Sequence, residues 1–204
     1  MYSQNNEDDA YLKVFKDLSN GVLLEIGAYN DKTFSNSKAL IDLGWNAYLV
    51  DASPFCITQL FDAYKGQDRV NIIQSLITET QKEGLTSFYD APGSAVSSIH
   101  KEHTQKYFPD KEYVKKTSKE IFMPSISLDK LISFVKSKEG DIHFLSIDVE
   151  GFSAELAMHL NFDQIRPVCI CIEHDNKEQM IMGKYGNLYN ILLHNAENLL
   201  LIRK

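Results

Sequence analysis

The chain has 204 residues, 44% apolar and 24% charged, enough for one domain with a substantial core and ordinary for a soluble globular protein. Its formal charge of −7 argues against a nucleic-acid partner, because a phosphate backbone needs a basic face. No apolar run reaches the roughly 18–20 residues needed to span a bilayer, and the polar, acidic start through Glu7, Asp8 and Asp9 does not read as a secretory signal, so a cytoplasmic chain is expected.

Ala10, Tyr11, Val14, Phe15 and Leu18 recur at helical spacing and predict a helix over 10–18. The apolar run 22–27, ending in Gly27, reads as a strand buried in a parallel sheet, which shows continuous hydrophobicity rather than alternation. A helix over 35–43 and a second strand over 47–51 follow. Pro54 suits the first turn of a helix carrying Ile57, Leu60 and Phe61 on one side. Residues 70–77 read as a third strand. Alternation at this spacing implies βαβ units and a right-handed, mostly parallel sheet.

Residues 84–128 break the rhythm and read as an insertion on the substrate side of a single domain covering 1–204. A pair of strands, 85–89 and 121–128, flanks a polar stretch in which residues 101–119 hold six lysines against three acids. The stretch either closes over a bound acceptor or is a solvated excursion. A helix over 129–138, a strand over 142–147, a helix over 154–160 and a strand over 168–172 restore the α/β pattern. The tail, 189–193 and 199–202, predicts a terminal hairpin that gives the sheet an antiparallel edge. Cys56, Cys169 and Cys171 sit in apolar surroundings without zinc-site spacing and read as free thiols.

Ligands of open α/β sheets bind beyond the carboxyl ends of the strands. Gly27 ends the first strand, where a glycine lets a ligand approach the backbone. Asp51 ends the second, 24 residues later, where an acid accepts hydrogen bonds from ribose hydroxyls. The three-glycine dinucleotide fingerprint is absent, which argues against an NAD-dependent oxidoreductase. Asp148 and Glu150 follow one later strand, and Glu173, His174 and Asp175 the next. Ionisable groups against apolar strands are costly unless paired or used, so an active site is expected there, although Glu150 and Asp175 could equally cap helices.

These stretches resemble the FkbM family of S-adenosylmethionine-dependent methyltransferases. The resemblance is carried by Tyr2-Ser3-Gln4 with Glu7-Asp8, Glu25-Ile26-Gly27-Ala28, Ser35-Asn36, Gly44-Trp45 leading to Val50-Asp51-Ala52-Ser53-Pro54, Ser97-Ser98, Ser127-Leu128-Asp129 and Ser146-Ile147-Asp148-Val149-Glu150-Gly151, in the family's order. It implies a class I methyltransferase fold: a Rossmann-like three-layer sandwich with a mostly parallel seven-stranded sheet and an antiparallel C-terminal hairpin. It implies transfer of a methyl group from S-adenosylmethionine, leaving S-adenosylhomocysteine, to a hydroxyl of a sugar, glycan or glycosylated metabolite, the acceptor carried on a nucleotide or a larger glycan in some cases. The cofactor site it implies comprises Gln4, Glu25, Gly27, Ala28, Asn36, Asp51, Ala52, Ser53, Leu76 and Asp148.

A sugar hydroxyl is a poor nucleophile at neutral pH, so a base or a metal must assist. Asp148 is the first choice as base or acceptor-orienting group. His174 is second because imidazole titrates in the useful range, and Glu150 and Glu173 complete the catalytic set. The reading adopted is metal-free. Its alternative is a divalent ion held by Asp148, Glu173 and Asp175, carboxylates that hard cations prefer. A rival from another class is a non-catalytic sensor or scaffold that binds an adenosine ligand with the same fold.

Overall fold

The computed structural model describes residues 2–79 and 83–204. Its centre is a seven-stranded sheet. Strand β1 (Val22–Ile26), buried at every position, lies between β2 (Asn46–Asp51) and β7 (Phe144–Ile147), parallel to both. Beyond β2 lies β3 (Val70–Gln74), and beyond β7 lie β8 (Cys169–Glu173), β10 (Asn198–Arg203) and β9 (Tyr189–His194). The β9–β10 hairpin pairs antiparallel to β8, as the tail's two apolar runs predict.

Strand alternation sorts the core into two faces. Leu23, Ala47, Leu49, Phe144 and Cys169 point toward α1 (Glu7–Val14), α2 (Lys38–Asp42) and α3 (Pro54–Tyr64), which cover them with Tyr11, Leu40 and Leu60. Leu24, Ile26, Val50, Leu145 and Ile170 point the other way, under α6 (Leu128–Glu139), α7 (Ser153–Ala157) and α8 (Glu178–Tyr185), which supply Leu131, Ile132, Leu156 and Ile181. This is the three-layer Rossmann-like arrangement. All three cysteines are buried and free. Among the described residues no helix is long and apolar enough to cross a membrane.

Three local expectations need correction. The predicted third strand breaks at Ser75, because β2 ends opposite Gln74 and offers no further ladder partner. The apolar residues beyond it form β4 (Leu76–Thr78), which pairs with β6 (Lys119–Ser127) in a separate three-stranded sheet completed by β5 (Gly84–Asp90). Helix α1 starts three residues earlier than the apolar spacing suggests, since Glu7, Asp8 and Asp9 suit the positive end of its dipole. The helix predicted from residue 35 begins at Lys38, because the Ser35 hydroxyl accepts the Lys38 N–H and folds the preceding residues into a polar turn. Helices α4 (Lys101–Gln105), α5 (Glu112–Thr117) and α8 have no counterpart in the apolar pattern. The strands flanking the polar stretch do pair antiparallel, with Leu85 opposite Pro124 and Tyr89 opposite Glu120.

Candidate active site

The strand order reverses between β1 and β7: from β1 the chain builds the sheet through β2 and β3, and it later returns to β7 on the opposite side. Beyond these carboxyl ends lies a cavity of about 450 Å³, within the roughly 300–1,000 Å³ of small-molecule sites. Two loops meet at its floor. Gly27 has a positive φ of 87°, and a Cβ on it would lie 1.6 Å from the Asp148 carbonyl oxygen. Only glycine allows the two loops to pass this closely.

The residues expected to hold the cofactor divide into two groups. Gln4, Gly27, Asp51, Ala52, Leu76 and Asp148 line the cavity. Glu25, Ala28, Asn36 and Ser53 are buried behind its wall, where they shape the loops. Glu25 Oε1 accepts the Asn36 N–H at 3.0 Å, which draws the loop after β1 back over the strand. Burial pushes the Glu25 carboxyl up to about 8, and its Oε2 has no hydrogen-bond partner among the described residues. Ala28 donates its N–H to Val50 O at 3.1 Å, and the Ser53 hydroxyl donates to Asp90 Oδ1 at 2.7 Å.

Asp51 joins both groups. Its Oδ2 accepts the Tyr29 N–H at 3.0 Å and its Oδ1 the Ser53 N–H at 2.8 Å. A carboxylate offers about four lone-pair positions, so Asp51 keeps acceptor capacity for a hydroxyl on the cavity side. Burial raises its pKa to about 6.

Four acids stand at the ends of β7 and β8. Asp148 and Glu173 line the cavity and hydrogen-bond each other. Burial pushes both carboxyls up, reinforced at Asp148 by the charges of Glu173 and Glu150 and at Glu173 by those of Glu150 and Asp175. Two such groups hold one proton between them. Glu173 is fixed by a short relay: the Val149 N–H donates to Ser153 Oγ at 2.7 Å, and the Ser153 hydroxyl donates to Glu173 Oε2 at 2.8 Å. Asp175 Oδ2 accepts the Ala154 N–H at 3.3 Å and so serves the first turn of α7. His174 lines the cavity, but its Nε2 lies 3.2 Å from Asn195 O and its Nδ1 accepts the Asn176 N–H at 3.1 Å. Both ring nitrogens are occupied, and no proton-accepting position faces an acceptor.

Glu150 faces a residue absent from the sequence-based site. His103, in α4, lies 2.8 Å from Glu150 Oε2 through its Nε2, and its Nδ1 would be 2.3 Å from a Cβ on Gly151. The Ser98 hydroxyl donates to Glu150 O at 2.7 Å. Residues 94–111 are thereby docked over the strand ends. Lys106 and Lys111, 5.0 and 4.9 Å from the ring centroid of Tyr107, join it in the lining. The lysine count of this stretch signals a basic roof, but nothing in the local pattern points to His103.

The opposite rim is closed by the N-terminal segment. Glu7 Oε1 accepts from Asn195 Nδ2 and Asn198 Nδ2, each at 2.8 Å, and Oε2 accepts the Asn5 N–H at 2.9 Å. Burial works against the Glu7 carboxylate, yet these donors hold its pKa below the ordinary value. The clasp sets Gln4 in the cavity wall, beside Ala196 and Glu197 of the hairpin tip.

The donor set fits a cationic nucleoside: a free diol acceptor at Asp51, an anionic pair at Asp148 and Glu173, and a glycine floor between them. Residues 25–197 match the family model described as the methyltransferase FkbM domain. No curated protein matches the chain.

Proposed function

The chain belongs to the FkbM methyltransferase family, and from that membership, which makes it an S-adenosylmethionine-dependent methyltransferase, we propose that it methylates a hydroxyl oxygen of a sugar, glycan or glycosylated metabolite. The observation carrying this reading is the Asp148–Glu173 pair, set between the ribose-type acceptor at Asp51 and a roof rich in hydrogen-bonding groups.

Bound S-adenosylmethionine supplies a methyl carbon made electrophilic by its sulfonium. The chain's own part is to orient, to attract and to move a proton. Asp51 would receive the ribose hydroxyls with the acceptor capacity its backbone partners leave on the cavity side. Gly27 permits the approach of the cofactor to the β1 and β7 loops. The buried carboxylates favour a positive ligand because their charged neighbours are other acids, Glu173 and Glu150 at Asp148 and Glu150 and Asp175 at Glu173.

Asp148, carrying the pair's proton, donates to Glu173 and holds it in place with Ser153. Glu173 is placed to accept the proton of an acceptor hydroxyl, a role suited to a carboxylate whose affinity for protons is raised toward neutrality. The methyl group would pass from the sulfonium sulfur to that oxygen, leaving S-adenosylhomocysteine. His103, Tyr107 and Glu150 offer the roof-side contacts that a polyhydroxylated acceptor needs. Lys106 and Lys111 favour an acceptor with a phosphate or carboxylate, as a nucleotide-linked or acidic sugar has.

The test is a screen for S-adenosylhomocysteine release across sugars, oligosaccharides and nucleotide sugars. Turnover on a hydroxyl acceptor, fastest among anionic ones, is expected. Cofactor binding without turnover on any hydroxyl would turn the reading toward a sensor or scaffold of the same fold.

A further inference from the structure

We propose that His174, Glu178 and His194 form a binding site for a divalent transition metal of the zinc class, beside the methyl-transfer site and separate from its carboxylate pair. Among the described residues they are a group of three side chains with ligand atoms no more than 4.8 Å apart. His174 opens the turn after β8, Glu178 opens α8, and His194 closes β9 at the hairpin tip. Three separately folded pieces thus converge on one point.

The spacing matches an ion's demands. His174 Nδ1 lies 3.3 Å from Glu178 Oε1, and His194 Nε2 lies 3.4 Å from the same oxygen. Zinc bonds of about 2.0–2.2 Å in a tetrahedron place ligand atoms about 3.3–3.5 Å apart. Two edges are therefore already set. The third closes by rotation of His194, whose side chain is 47% exposed while that of His174 is 4% exposed. The ion enters from solvent at His194 and is anchored inside at His174. Three protein ligands leave one position of the tetrahedron to water or another ligand.

The surroundings of His174 fit a ligand. Its Nε2–H points to the Asn195 carbonyl at 3.2 Å, the partner that fixes a metal-binding imidazole's tautomer and leaves the other nitrogen with a lone pair. That lone pair is shared between Glu178's side and the Asn176 N–H at 3.1 Å, so coordination displaces one backbone hydrogen bond. Two imidazoles with one carboxylate suit zinc, nickel or copper rather than magnesium or calcium. His174, Asn176, Ala196 and Glu197 line the cavity. The ion would pin that wall by tying β8, α8 and the hairpin tip together, a positioning role outside the proton path.

The experiment uses the full chain stripped of metal with a chelator, then titrated with zinc by calorimetry and with cobalt by visible absorption. One equivalent of zinc, and the visible bands of tetrahedral cobalt, are expected. His194→Ala and Glu178→Gln should each weaken binding at least about tenfold. Zinc at 100 times its dissociation constant should raise the melting temperature by roughly 5 °C or more in the parent and by less in both variants. The Asn176 amide resonance should shift on zinc addition. Absence of stoichiometric binding, or binding indifferent to His194→Ala in a folded variant, would overturn the site. Binding lost instead on Asp148→Asn or Glu173→Gln would overturn it too, moving the ion to the carboxylates.

Discussion

The two halves of the cavity are assembled by different means. On the cofactor side, carboxylates bind backbone amides close to them in the chain: Asp51 takes Tyr29 and Ser53, 22 and 2 residues away, and Glu25 takes Asn36, 11 away. On the acceptor side, contacts span longer separations: the His103 ring meets the Glu150 carboxylate, 47 residues away, and the Ser98 hydroxyl donates to Glu150 O, 52 residues away. The comparison teaches that the carboxylates of the cofactor side are positioned by main-chain amides, and the acceptor-side groups by contacts with distant parts of the chain.

Three perturbations would break or sharpen this contrast. The largest effect is expected from Glu173→Gln, which removes the proton acceptor while keeping shape: turnover should fall by about 10²–10⁴, with cofactor affinity little changed because the lost interaction belongs to the transition state. Asp148→Asn still donates to Glu173 and should cost only about tenfold. Steady-state kinetics on both variants check this, and a reversed order would make Asp148 the base.

Next comes Asp51→Asn. An amide cannot accept both the Tyr29 and the Ser53 N–H and still serve a diol, so calorimetry should show cofactor binding weakened by roughly 1.5–3 kcal/mol. Acceptor KM should be nearly unaffected. A loss on the acceptor side of equal size would erase the division between the halves.

The smallest effect is on stability. The folded state holds protons on Asp51 and Glu25 more tightly than an unfolded chain does, with pKa values raised to about 6 and about 8. Their stabilisation is full below about pH 4 and is lost as pH rises through those values. The melting temperature of the ligand-free protein should therefore decline from about pH 4.5 to 8.5. S-adenosylmethionine, bringing positive charge to the acids, should flatten the decline. A melting temperature that rises over this range would show that the carboxyls are stabilised as anions.

The same contrast explains what was legible in the sequence. The strands of the main sheet are continuous apolar runs, and Gly27, Asp51, Asp148 and Glu173 stand at their ends, where α/β topology places ligands. The break at Ser75 was not legible, because Leu76 and Ile77 prolong the apolar run and only the end of β2 reveals the change of sheet. His103 and Glu178 were missed for a related reason. Each lies on a short helix that the apolar pattern did not mark, and each meets a partner from another element of the fold. His174 was legible as a site residue, but not that both its nitrogens are occupied, since one partner lies 21 residues downstream.

The bond from Glu7 to Asn195 and Asn198 also sets an order of events during synthesis. Gln4 can take its place in the cavity only after the β9–β10 hairpin has left the ribosome and zipped onto β8. Until residues 195–198 have been made, the nascent chain carries the Asp51 loops but lacks the Gln4 rim. The buried Glu7 carboxylate then stays solvated in the waiting segment, and contacts of such long range form late because loop closure precedes any gain from them. A chain stalled before the hairpin therefore leaves the Gln4 wall of the cavity open.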